Sequence, residues 1–133
     1  MTDMAVYQDD PLGDLRRLQA EMFRSVRFVV DAGLHDKRWS RGRAIDYMLS
    51  KTGMTEAEVI REIERYVVWP GQATAYKLGQ FALLKLRGEA ESQLGEDFDL
   101  RKFHEMVLMN GTMPLEILEE SVRLWIQQQL EAV

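Results

Sequence analysis

The chain has 133 residues, 46% of them hydrophobic, with 17 basic and 22 acidic side chains and a net charge of −5. That length fits one domain, the apolar content excludes a disordered chain, and the interspersed charges leave no basic face for nucleic acid. The absence of cysteine excludes disulfides and thiolate metal sites.

Every segment reads as helix. Asp10-Pro11 is a cap followed by proline at the first helical position. The helix it opens carries Leu12, Leu15, Leu18, Met22, Val26, Val29 and Val30 on one face and fades at Gly33. Ser40 caps a second helix that runs to about Lys51, with Gly53 beyond it. Thr55-Glu56-Ala57-Glu58 is a capping box; the third helix turns Val59, Ile60, Ile63, Tyr66 and Val67 inward and ends before Pro70. A fourth helix is expected over about 71–94. Leu78, Phe81, Ala82, Leu83, Leu84 and Leu86 surround its axis, the pattern of a buried central element. Asp99 caps a fifth helix ending near Asn110-Gly111, and Pro114 opens a sixth bearing Leu115, Leu118, Val122, Trp125 and Ile126. The expectation is an all-α, compact single domain of about six helices over 1–133, packed around the helix at 71–94.

The N-terminal ten residues are acidic and lack an apolar stretch, so they are not expected to form a signal peptide. No apolar run reaches bilayer length. The default expectation is a cytoplasmic protein with neither a membrane nor a nucleic-acid partner.

Two groups of polar residues stand out. Arg27, Asp31 and His35 recur every four residues beside the apolar face of the first helix. They read either as a ladder of solvated pairs, each worth about 0.2–0.5 kcal/mol, or as an acid that orients an imidazole. Gln72, Tyr76 and Lys77 fall in the opening turns of the fourth helix, at its positively polarised end. There a phenol and an ammonium could donate to a substrate carbonyl or carboxylate. The bland alternatives are a tyrosine bonded at its tip and a lysine that carries its charge out to water. His35 and His104 lie on different helices. The fourth residue after His104 is Leu108, so His-Glu-x-x-His is absent and no metal ligand is assigned. Trp39, Trp69 and Trp125 sit near element ends as packing anchors.

The run Arg27 to His35, then Trp39 and Arg43-Ala44-Ile45-Asp46-Tyr47, resembles a large bacterial family catalogued as domain of unknown function 885. So do Trp69-Pro70-Gly71-Gln72-Ala73 with Tyr76-Lys77-Leu78-Gly79, Phe98 to His104, and the Gly-x-x-Pro-Leu of Gly111 to Leu115. The resemblance implies an all-helical zinc metallopeptidase of the His-Glu-x-x-His type, much longer than this chain, with the metal ligands upstream of the region seen here. It implies that this chain is the C-terminal portion and lines the far wall of the cleft. On that footing Tyr76 is the candidate oxyanion donor. Arg27, His35, Gln72 and Lys77 are candidates for holding substrate, and Asp31 would orient His35 or pair with Arg27. Zinc is implied only for a full-length relative, and the chain alone is expected to be inactive. The alternative is a helical interaction module that kept the fold and lost the chemistry. Expected partners are a second copy of the chain through exposed apolar surface, an N-terminal metal-binding half, and a peptide in the complete protein. Two positions depart from the family pattern: Ala32, where a small hydroxyl residue is usual, and Arg38, where glycine is common.

Overall fold

A computed structural model describes residues 6–131, which form six α-helices and no strand. The acidic start of the chain therefore lies partly outside the described residues. The helices are α1 (Pro11–His35), α2 (Arg41–Lys51), α3 (Glu56–Val68), α4 (Ala75–Leu94), α5 (Leu100–Met109) and α6 (Leu115–Glu131). The all-α fold class is as the sequence indicates.

Each start has the cap that its sequence announces. Asp10 accepts from the Gly13 N–H at 2.8 Å, Ser40 from Arg43 at 3.2 Å, and Asp99 from Arg101 at 2.7 Å. Thr55 and Glu58 exchange side-chain and backbone hydrogen bonds as a complete capping box.

The chain divides into two compact units, Met1–Lys77 and Leu78–Val133. The first packs α1, α2 and α3 around Val26, Val30, Ala44, Met48, Val59, Ile63 and Tyr66, with Ala73 reaching in from the turn beyond α3. The second packs α4, α5 and α6 around Leu86, Ala90, Leu94, Phe103, Leu118, Val122 and Ile126.

Four expectations are corrected. The fourth helix begins at Ala75 rather than Gly71. Gly71 adopts a φ of +82° and so cannot continue a right-handed helix, and the stretch 70–74 is a series of turns. Nor is α4 buried all round. Leu86, Ala90 and Leu94 form one inward stripe at intervals of four, while Leu78, Phe81, Leu83 and Leu84 are exposed. The neighbouring helices α5 and α6 bury that one stripe. On α1, burial is confined to Val26, Arg27, Val30, Asp31 and Gly33, whereas Leu12, Leu15, Leu18 and Met22 are exposed. Val67 and Trp69 are exposed as well.

Candidate functional site: a polar knot at the end of α1

The last two turns of α1 place Arg27, Asp31 and His35 one above another against the end of α3 and the turns that follow. Arg27 and Asp31 are the only buried charged residues among those described, at 7% and 2% exposure. Asp31 organises the backbone. Its carboxylate accepts from the Gly71 N–H at 3.0 and 3.1 Å and from the Ala73 N–H at 3.2 Å. The positive φ of Gly71 lets two nearby N–H groups point at one carboxylate, so glycine is required there by conformation. The Thr74 hydroxyl donates to the Gly71 carbonyl at 2.7 Å and tightens the same turn.

His35 closes the knot on its other side. Its Nε2 lies 3.0 Å from the Tyr66 carbonyl and 3.6 Å from Asp31, and the carbonyl makes Nε2 the protonated nitrogen. The side chain is 32% exposed. Of the two readings open for Arg27, Asp31 and His35, the solvated ladder does not describe the arrangement, since Arg27 and Asp31 are buried; the acid does lie beside the imidazole, and it also holds the turn. Asp31 and His35 fasten α1 to the end of α3 and the turn beyond it.

Arg27 is held differently. Its Nη2 donates to Gln72 Oε1 at 2.9 Å, and its Nε is buried with no hydrogen-bond partner. Its guanidinium lies over three rings: Phe23 and Tyr66, each at 5.4 Å, and Tyr76 at 5.7 Å. The phenol of Tyr66 donates to Glu62 at 2.6 Å. Burial, together with that bond to a carboxylate, pushes its pKa well above the ordinary phenol range.

The residues expected at the head of the fourth helix separate on inspection. Gln72 sits in the turn, exposed apart from its bond to Arg27. Tyr76, expected in a buried wall, is 55% exposed in the first turn of α4, and Arg24 lies over its ring at 5.3 Å. The Lys77 ammonium is 3.7 Å from Glu21, with its side chain 12% exposed. Arg27, Gln72 and Tyr76 are thus brought together, with Lys77 adjacent in sequence. Phe23 and Arg24 belong to none of the motifs read from the sequence, and Tyr66 reads there only as an inward-facing residue of the third helix. The spacing of Phe23 four residues before Arg27 was a usable signal. Phe23 also lines an open groove of about 450 Å³ with Gln19, Met22, Lys51, Thr52, Gly53, Met54 and Glu58.

The Arg38 anomaly has a direct cause. Arg38 has a φ of +54°, in the left-handed region that glycine occupies freely. That bend lets the Trp39 N–H reach the Gly33 carbonyl at 2.8 Å and lays the indole against Gly33. A Cβ on Gly33 would meet the indole at 2.6 Å, so the helix needs glycine there for close approach. Trp39 in turn carries Arg43 over its face and packs on Tyr47.

Among the described residues no group of three metal-binding side chains converges. Among the described residues, no helix is long and apolar enough to cross a membrane.

Comparison with known proteins adds two findings. The family described as "Bacterial protein of unknown function (DUF885)" matches residues 1–122. A solved structure, "The crystal structure of the putative lipoprotein from Colwellia psychrerythraea", is 53% identical with a TM-score of 0.92. The alignment covers 96% of this chain but 22% of that one, so this chain spans a minor part of its relative's length. No curated protein matches. Residues carrying the knot, Arg27 to His35 and Trp69 to Lys77, fall within the matched region, and the chain belongs to the DUF885 family of bacterial proteins of unknown function.

Proposed function

We propose that this chain is the C-terminal helical portion of a longer zinc-metallopeptidase-like protein, in which it supplies one wall of a peptide-binding cleft. The reading is supported most by the clustering of Arg27, Gln72 and Tyr76 at one edge of the first unit, in a chain that spans 22% of a related one. In that setting the exposed Tyr76 hydroxyl donates to the oxyanion of the reacting peptide, while Arg27, Gln72 and Lys77 hold substrate. Asp31 and His35 act one step back by fixing the turn that carries Gln72. His35, with Nε2 turned to the Tyr66 carbonyl, keeps Nδ1 as its remaining group for substrate. The metal ligands come from an N-terminal half outside this chain, and the chain alone does not hydrolyse peptides.

The test is Tyr76→Phe in a full-length family protein carrying this segment. Loss of one oxyanion donor lowers kcat by about a hundredfold with little change in KM; a rate within about twofold of the parent removes Tyr76 from the chemistry.

A second reading is favoured by the exposed stripe of Leu12, Leu15, Leu18 and Met22 on α1. It takes the chain as a helical interaction module that pairs with a second copy and has no chemistry of its own. The location follows from the parent. The relative described as a lipoprotein favours an exported or anchored parent over the cytoplasmic default.

A further inference from the structure

We propose that Arg27, with Arg24 and the ring of Tyr76, forms a receptor for a carboxylate, and that the ligand is the free C-terminal carboxylate of a short peptide. The peptide rests on the function proposed above; the carboxylate rests on geometry alone.

Arg27 is a buried cation without an anion. The carboxylates of Asp31, Glu62 and Glu21, on its own helix and on α3, are each engaged elsewhere. Asp31 accepts from Gly71 and Ala73, Glu62 from Tyr66 and Arg65, and Glu21 faces Arg17 and Lys77. What Arg27 has instead is one neutral amide oxygen and three aromatic faces. The rings attract the charge but accept no N–H in the guanidinium plane, and Nε stays unpaired. Uncompensated burial of this kind is costly unless a partner arrives.

The surroundings point to where it arrives. Arg24 lies over the same Tyr76 ring as Arg27, so two guanidinium groups share one phenol. An anion between them relieves their repulsion. Gln72 and Tyr76, which border the guanidinium, are themselves exposed, so a ligand reaches it by displacing Gln72 Oε1 and taking over the Nη2 donation. A carboxylate is the stronger acceptor, and its two coplanar oxygens match the guanidinium fork.

The experiment is an NMR titration of the chain, following the Arg27 guanidinium and the Gln72 side-chain amide. The probes are N-acetyl-alanyl-alanine, its C-terminal amide, and inorganic phosphate. The expected result is saturable shifts of both groups with the free acid and binding of the amide weaker by about tenfold or more. Arg24→Gln, at an exposed position, weakens the acid several-fold while the helical circular dichroism is unchanged. Arg27→Lys, which keeps the charge and loses the fork, abolishes the preference for acid over amide. Equal responses to acid and amide, or no response at either group, overturn the proposal. Phosphate binding as tightly as the peptide acid overturns the assignment to a peptide terminus. A full-length family protein that cleaves peptides while treating acid and amide ends alike keeps the proposed function and loses this receptor.

Discussion

At Arg38 the chain places a branched cation in a conformation that suits glycine, and the bend is enforced by its neighbours. The Gly33 carbonyl holds the Trp39 N–H, and the indole fills the space above Gly33. Arg38→Gly therefore removes left-handed strain while adding freedom to the unfolded chain, a net gain of about 0.5 to 1 kcal/mol. Urea denaturation checks it; a loss of stability would show that the Arg38 side chain contributes more than its backbone costs. Tyr66 makes a second prediction at this scale. Its folded pKa lies above its ordinary 10.0, chiefly through burial and then through its bond to Glu62. The native state therefore favours the neutral phenol. This contribution is complete below pH 10 and is lost as pH rises from there through the folded value. Phenolate absorbance should show one of the four tyrosines titrating only as the chain unfolds, and Tyr66→Phe should remove that lag. The departure at Arg38 is visible in the sequence as one of two positions, with Ala32, that differ from the pattern the chain resembles. Its cause is not, because the left-handed bend depends on where Trp39 comes to rest.

Among the elements, α4 separates what periodicity can announce from what it cannot. Caps, turns and inward stripes follow local rules, so Asp10, Ser40, Thr55 and Asp99 mark helix starts directly. A helix apolar on every side is different. The pattern says that all faces avoid water in the state for which the sequence was selected, without saying which chain covers them. Here Leu86, Ala90 and Leu94 are buried, while Leu78, Leu83 and Leu84 are exposed. Leu86→Ala should accordingly cost about 2–5 kcal/mol, as for any fully buried leucine. Leu84→Glu should change the stability of the isolated chain by no more than about 0.5 kcal/mol. Thermal denaturation of both variants checks the pair, and equal losses would mean that Leu84 is packed in solution. The site was legible to a similar degree. The four-residue spacing of Arg27, Asp31 and His35 identified the right face. Their division of labour depends on the turn at 69–74, whose geometry comes from Gly71 and Asp31 together, forty positions apart.

For the whole molecule, the exposed apolar side chains are too regular to be scattered surface residues. Leu12, Leu15, Leu18 and Met22 recur on α1 at helical spacing, none of the first fifteen residues of that helix is buried, and α4 adds Leu78, Phe81 and Leu84. Soluble monomers rarely leave apolar patches above a few hundred Å² open. The related chain, of which the aligned part is 22%, has most of its length available to cover such surfaces. This chain by itself has a second copy of itself, and a two-fold pairing of the α1 stripes is the simplest closed arrangement. Sedimentation should therefore show a concentration-dependent dimer. Leu15→Glu with Met22→Glu should shift it to monomer while leaving helix content intact, since both side chains are exposed in the folded unit. A monomer that persists at high concentration would mean that these stripes tolerate water. It would also remove the main reason for reading the chain as an interaction module in its own right, leaving the cleft-wall reading to stand on the Arg27 cluster.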